Sequence, residues 1–134
     1  LSRVPESLRL QVQERAGGRC EYCRKLEGFS EYPHHADHVV AVKHNGPTEL
    51  ENLAWACFQC NVNKGSDLTS FDPETKLLAR LFNPRTQQWD EHFEFQDLLI
   101  VGKTPTGRTT VQLLQMNHID QIETRSFLMQ SGLW

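Results

Sequence analysis

The sequence predicts an α+β fold, a single small domain of short strands and helices stapled by metal. Three observations carry that expectation. The chain has 134 residues, of which 38% are hydrophobic, enough for a modest core in one domain and small enough to need a staple. Its four cysteines fall into two short-spaced pairs, Cys20-Glu21-Tyr22-Cys23 and Cys57-Phe58-Gln59-Cys60. Between and beyond those pairs, β-branched runs alternate with short helical stretches, in the order knuckle, strand, loop, return segment, knuckle, helix.

Pro5 to Ala16 reads as a helix: Pro5 suits the first turn, Leu8 and Val12 are spaced i,i+4, and Gly17-Gly18 stops it. Residues 34–42 read as a strand because of their β-branched run. Residues 43–48, with Asn45-Gly46-Pro47, form a turn or loop. Leu50 to Ala56 returns toward the second pair, Phe58 to Lys64 forms a short helix, and Gly65 closes it. Residues 66–75 are polar and turn-rich. Strands are expected at Lys76–Phe82, Phe93–Phe95 and Leu98–Val101, and helices at Thr104–Met116 and His118–Met129, split near Asn117. No repeat or low-complexity segment is present.

Paired CxxC turns suit tetrahedral zinc, because each presents two thiolates from one side. Cys20, Cys23, Cys57 and Cys60 are therefore the expected ligands of a structural Zn²⁺. Two disulfides are the alternative, but one inside each CxxC would be strained and one across the pairs needs an oxidising compartment. A redox motif of the thioredoxin kind needs one such pair, not two. The net charge of -3 argues against a general nucleic-acid coat protein, though bound metal adds positive charge outside that count. No stretch approaches the ~18 apolar residues of a membrane span, and no leader-like segment precedes Pro5. The expected setting is cytoplasmic, with no membrane partner.

Asp37-His38 lies on the first expected strand, Asn52 in Glu51-Asn52-Leu53, and Asn61 directly after Cys60 in Cys60-Asn61-Val62-Asn63-Lys64-Gly65. At these residues the chain resembles the HNH endonuclease family, over roughly residues 19–66, with Asn as the third letter. The resemblance implies a ββα-metal core with a four-cysteine zinc site. It assigns His38 as general base, Asn52 as the residue that ties the loop, and Asp37 and Asn61 as ligands of a catalytic Mg²⁺ or Mn²⁺. The partner it implies is DNA, with RNA as a second candidate, cut to 5′-phosphate and 3′-hydroxyl ends. Elementary chemistry agrees: an imidazole with a pKa near ~6.5 takes protons near neutrality, and carboxylate and amide oxygens are hard ligands for such ions. One tension stands, because adjacent residues of a regular strand point to opposite faces.

His35 shares the face of Asp37 and is a candidate further ligand; a solvated strand histidine is the plainer reading, and the better one for His34. Lys64 follows Asn61 by three residues on the same helix face and is a candidate phosphate contact, against a merely solvated lysine. Leu81-Phe82-Asn83-Pro84-Arg85, Trp89-Asp90-Glu91-His92-Phe93 and Thr104-Pro105-Thr106-Gly107-Arg108 resemble the C-terminal extension of small bacterial HNH proteins, which often have His in place of Asn83. Arg85 and His92 are candidates to reach the site or DNA, although such aromatic-rich segments more often serve packing. Residues 1–66 are expected to form the core with the N-terminal helix and both knuckles. Residues 67–134 would be an extension packed on it, within one domain. Two rivals make different forecasts: an inactive HNH-like or zinc-ribbon module binds nucleic acid or protein without cutting, and a redox protein holds no stoichiometric zinc.

Overall fold

A computed structural model describes residues 4–134. Helix α1 (Glu6–Arg15) starts after Pro5 and ends where Gly17 and Gly18 adopt positive φ. It lays Leu8 and Val12 against Leu53 and Trp55 in a small apolar cluster. Strands β1 (His35–His38) and β2 (Leu53–Ala56) pair antiparallel, with Asp37 opposite Ala54 and His38 opposite Leu53. Every residue of β2 is buried, so the return segment forms the floor of the core. Helix α2 (Phe58–Lys64) follows at once and packs on β1. Cys57 caps it, its Sγ accepting from the Cys60 N–H, and Gly65 ends it.

The second half adds two hairpins and three helices. Strands β3 (Thr69–Phe71) and β4 (Leu78–Arg80) pair antiparallel, as do β5 (Phe93–Gln96) and β6 (Leu99–Gly102). The short helix α3 (Trp89–His92) precedes β5. Helix α4 (Pro105–Leu113) packs on β6, β4 and β3, and α5 (Ile119–Gln130) closes the chain. Gly107 permits the α3–α4 approach, since a Cβ there would collide with the His92 carbonyl oxygen. Helix and small antiparallel strands together make the α+β class expected from the sequence.

The main apolar cluster ignores the midpoint of the chain. It joins Cys20, Tyr22, Cys23, Val39, Cys57 and Cys60 to Phe82, Trp89, Phe93, Ile100, Leu114 and Met116. The Trp89 indole N–H donates to the Tyr22 carbonyl at 2.7 Å.

Several element boundaries differ from expectation, each for a local reason. The strand expected over residues 34–42 stops at His38, because Val39 N–H donates to the Asn52 carbonyl and Val40 is taken up by the Asn52 side chain. The return segment Leu50–Ala56 opens with a 3₁₀ turn over Leu50–Asn52 before β2. Within the polar, turn-rich residues 66–75, Thr69–Phe71 pair with Leu78–Arg80 as β3. Helix α4 ends at Leu113, where Gln115 turns to positive φ.

Candidate metal centre and catalytic strand

The four cysteine sulfurs all lie within 4.8 Å of one another, and all four residues are buried. Cys23 and Cys57 Sγ are 3.7 Å apart, well beyond a disulfide bond. A tetrahedral site with ~2.3 Å metal–sulfur bonds places its sulfurs roughly 3.8 Å apart, so the spacing fits zinc. The Cys23 N–H donates to Cys20 Sγ and the Cys60 N–H to Cys57 Sγ, each at 3.4 Å, which orients both turns and favours thiolate. Cys57 is pushed furthest toward thiolate, chiefly by contacts from the other three sulfurs, with help from the charge of Lys25. Among the described residues this is the group of three or more His, Cys, Asp or Glu arranged to hold an ion.

Two buried cations stand behind the sulfurs. Lys25 donates through Nζ to Gln59 Oε1 at 3.0 Å and Gln121 Oε1 at 2.8 Å. Arg125 of α5 donates to the Met116 carbonyl at 2.7 Å and to the Leu98 carbonyl. The charges of Cys23 and Cys60 reach its guanidinium. Neither cation stands out in the sequence, because a lone Lys or Arg usually lies in solvent.

Beside the zinc site, β1 carries Asp37 and His38. Asn52 fixes the loop that follows them. Its Oδ1 accepts from the Val40 N–H at 3.0 Å, and its Nδ2 donates to the Val40 and Pro47 carbonyls, each at 2.9 Å. Asn45 makes the turn with φ of 66°. Gly46 is required beside it, since a Cβ would strike the Val40 carbonyl oxygen. His38 Nε2 lies 2.9 Å from Thr48 Oγ1 on the same loop. Thr48 escaped the sequence reading because nothing in its spacing marks it.

Lys64 is placed differently from the sequence expectation. It is 2% exposed, and its Nζ donates to the Val39 carbonyl at 3.0 Å and the His38 carbonyl at 3.4 Å. It also pairs with Asp37 Oδ2 at 3.6 Å. It is therefore an internal cation holding the end of β1, neither a solvated lysine nor a phosphate contact. Its ammonium links the Asp37 side chain to the backbone at the end of β1; the two side chains remain adjacent on a regular strand. Burial pushes Asp37 up to about 6 against the opposing pull of Lys64. Burial also pulls His38 below its ordinary value, aided by the charge of Lys64.

Asn61 sits one turn before Lys64 on α2, and its side chain makes no hydrogen bond among the described residues. His35 is exposed at the far end of β1. His34 corrects the reading of it as a solvated strand residue. It is 4% exposed, precedes β1, and places Nε2 2.9 Å from the Lys25 carbonyl. Arg85, a candidate to reach the site or DNA against the plainer packing role, forms a largely buried ion pair with Glu21, and Glu21 also accepts from the Trp55 N–H at 2.8 Å. His92 places Nδ1 2.7 Å from Thr104 Oγ1 and tilts on Phe82, as packing predicts.

Residues 20–67 match the model of the HNH endonuclease family, and this stretch is an HNH segment of the zinc-knuckle type, whose family is one of nucleases. The chain is also similar to the Septu protein PtuB of Bacillus thuringiensis, with 25% identity over 124 residues, 86% of this chain and 43% of that protein. The chain thus spans less than half the length of that relative. No solved structure matches it. No described helix is long and apolar enough to cross a membrane.

Proposed function

We propose that this chain is a metal-dependent endonuclease that hydrolyses DNA phosphodiester bonds, with residues 67–134 working as one unit with the HNH core. The observation that carries the reading is Asp37. Its Oδ2 is buried and makes no hydrogen bond, next to the histidine the family uses as base. A buried hard oxygen that the Lys64 ammonium meets only at 3.6 Å, with the Asn61 carboxamide on the adjoining helix, fits Mg²⁺ or Mn²⁺. Such an ion, when bound, polarises a phosphate oxygen and stabilises the leaving 3′ oxygen. His35 lies on the same strand and is the candidate third ligand.

The protein's own part is to hold a proton acceptor. His38 is kept neutral by burial and by Lys64, which is the state that takes a proton from water. In the tautomer whose Nε2–H donates to Thr48 Oγ1, 2.9 Å away, the Nδ1 lone pair is the one free to do so. Asn52 and Lys64 hold the strand end and the loop on either side of that ring, so the imidazole meets substrate without reorganising.

The test is plasmid nicking by zinc-loaded protein with and without Mg²⁺ or Mn²⁺. His38→Ala should lower the cutting rate by about 10²–10⁴ while DNA binding, which rests on phosphate contacts elsewhere, changes little. Equal cutting by wild type and His38→Ala would reject the mechanism. Binding without any cutting in either protein would establish the non-catalytic module instead.

A further inference from the structure

Directly beyond His38 the chain lines a cavity of about 360 Å³. Its near wall is Val39, Val40 and the Lys64 stem, and its far wall is Leu68, Leu81 and Phe82 from the second half of the chain. We propose that this cavity is a subsite for one unstacked nucleobase of the DNA strand being cut, an inference that rests on the nuclease reading above.

Size, chemistry and place each point to that occupant. The volume is at the small end of the range of roughly 300–1,000 Å³ that holds a small ligand, so it suits one base and not a peptide segment. The walls are mainly apolar, matching the faces of a base. The rim carries amide and guanidinium donors beside one acceptor, the exposed Asp67 carboxylate, which can take a base amino group. Asn83 Oδ1 accepts from the Arg85 N–H at 2.9 Å and Gln87 Oε1 from the Asn83 N–H at 2.9 Å. Both carboxamide oxygens are thus used by backbone, which leaves both NH₂ groups for a ligand. Arg80 lines the same cavity, is exposed, and makes no ion pair among the described residues. Amide and guanidinium donors match base carbonyl and ring-nitrogen acceptors, with Arg80 also able to meet the adjoining phosphate. Finally, Lys64 is shared: its stem lines the cavity and its ammonium is 3.6 Å from Asp37 Oδ2. A nucleotide whose phosphate sits at Asp37 therefore has this cavity within one side chain's width. Enzymes that act on unstacked nucleotides hold the base in such a pocket.

The experiment measures binding and not cutting. Zinc-loaded protein, with no Mg²⁺ or Mn²⁺ added, is titrated with a single-stranded DNA oligonucleotide and with an abasic strand of the same length. Base contacts of this kind change affinity between about fivefold and a hundredfold, and the wild type should prefer the normal strand by a factor in that range. Thr69→Leu/Thr86→Leu narrows the cavity from two exposed lining positions. It should remove most of the preference while zinc content and thermal midpoint stay as in wild type. Arg80→Ala should weaken both strands through the lost phosphate contact, the normal strand more, and lower the salt dependence. Equal affinity of wild type for the two strands, or a full preference kept by the double variant, would overturn the proposal. A base preference without plasmid nicking would sink the nuclease reading and leave the subsite standing; nicking without a base preference would do the reverse.

Discussion

Lys64 shows how much one buried side chain decides. Its ammonium satisfies two backbone carbonyls at the end of β1 and faces the Asp37 carboxylate. Removing one partner of a buried pair strands the other charge, at a cost of roughly 3–5 kcal/mol. Lys64→Met should therefore destabilise the protein by about that amount in denaturant unfolding, and Asp37→Asn/Lys64→Met should recover part of it. A loss below about 1 kcal/mol for the single variant would mean that the ammonium is not internal in solution. Asn52 is the companion case, with three hydrogen bonds through one carboxamide. At roughly 0.5–1.5 kcal/mol each, Asn52→Ala should cost about 2–4 kcal/mol, read from the same unfolding curves, and should slow cutting by misplacing His38. A variant as stable as wild type would show that the loop is held by something else. The resemblance expected Asn52 to tie the loop, and its carboxamide bonds Val40 and Pro47 there; its part in cutting is what the variant tests. The resemblance could not mark Lys64 as buried, because a lysine three residues after Asn61 is compatible with either solvent or the strand.

At the scale of elements, the legible parts were those with local signals. Helices α1 and α2 follow from Pro5, Gly17-Gly18 and Gly65, and the β5–β6 hairpin from its apolar runs. The parts that were missed are set by partners distant in sequence: β3 exists because Leu78–Arg80 come back to it, and β1 ends where Asn52 intercepts Val40. The contact that ties the β3–β4 turn to α4 is of the same long-range kind. The buried Asp72 carboxylate accepts from Arg108 Nη2 at 2.8 Å and Nε at 3.1 Å, and from the Glu74 N–H at 2.9 Å. Hydrogen bonding to Arg108, foremost, holds Asp72 down at about 2, below the ordinary ~3.9. A carboxyl with a lowered native pKa contributes stability that is complete above its unfolded pKa and fades as pH falls toward the native one. Wild type should thus exceed Asp72→Asn in stability by a constant margin above about pH 4, and the margin should shrink between about pH 4 and pH 2. Unfolding midpoints of the two proteins across that range check the sign; a margin that does not narrow on acidification would place the charge on Asp72 outside the stability of this turn.

At the scale of the whole molecule, the zinc site and the apolar core are one structure. The four cysteines belong to the same buried cluster as Phe82, Trp89, Phe93, Ile100, Leu114 and Met116. Four thiolates with one Zn²⁺ leave two negative charges in this interior, and Lys25 and Arg125 are the two buried cations that offset them. Arg125 lies on the last helix and Lys25 just after the first knuckle, so the balance of charge spans the chain as the packing does. Without the ion, four sulfurs at contact distance must share protons, and both cations lose their counter-charge in a dry interior. Metal binding energy is then folding energy for both halves. Chelation of zinc should abolish the near-ultraviolet circular dichroism of Trp55 and Trp89 together, in one transition with a single dependence on free zinc, and Cys57→Ser should fail to yield folded protein at all. Arg125→Met should weaken zinc retention in competition with a chromogenic chelator although it touches no sulfur, because the charge it removes is one of the two. The opposite outcome is just as readable: a chelated protein that kept a cooperative melt, or a second half that stayed folded while Trp55 lost its signal, would show that the extension has a core of its own and that zinc staples only the knuckles.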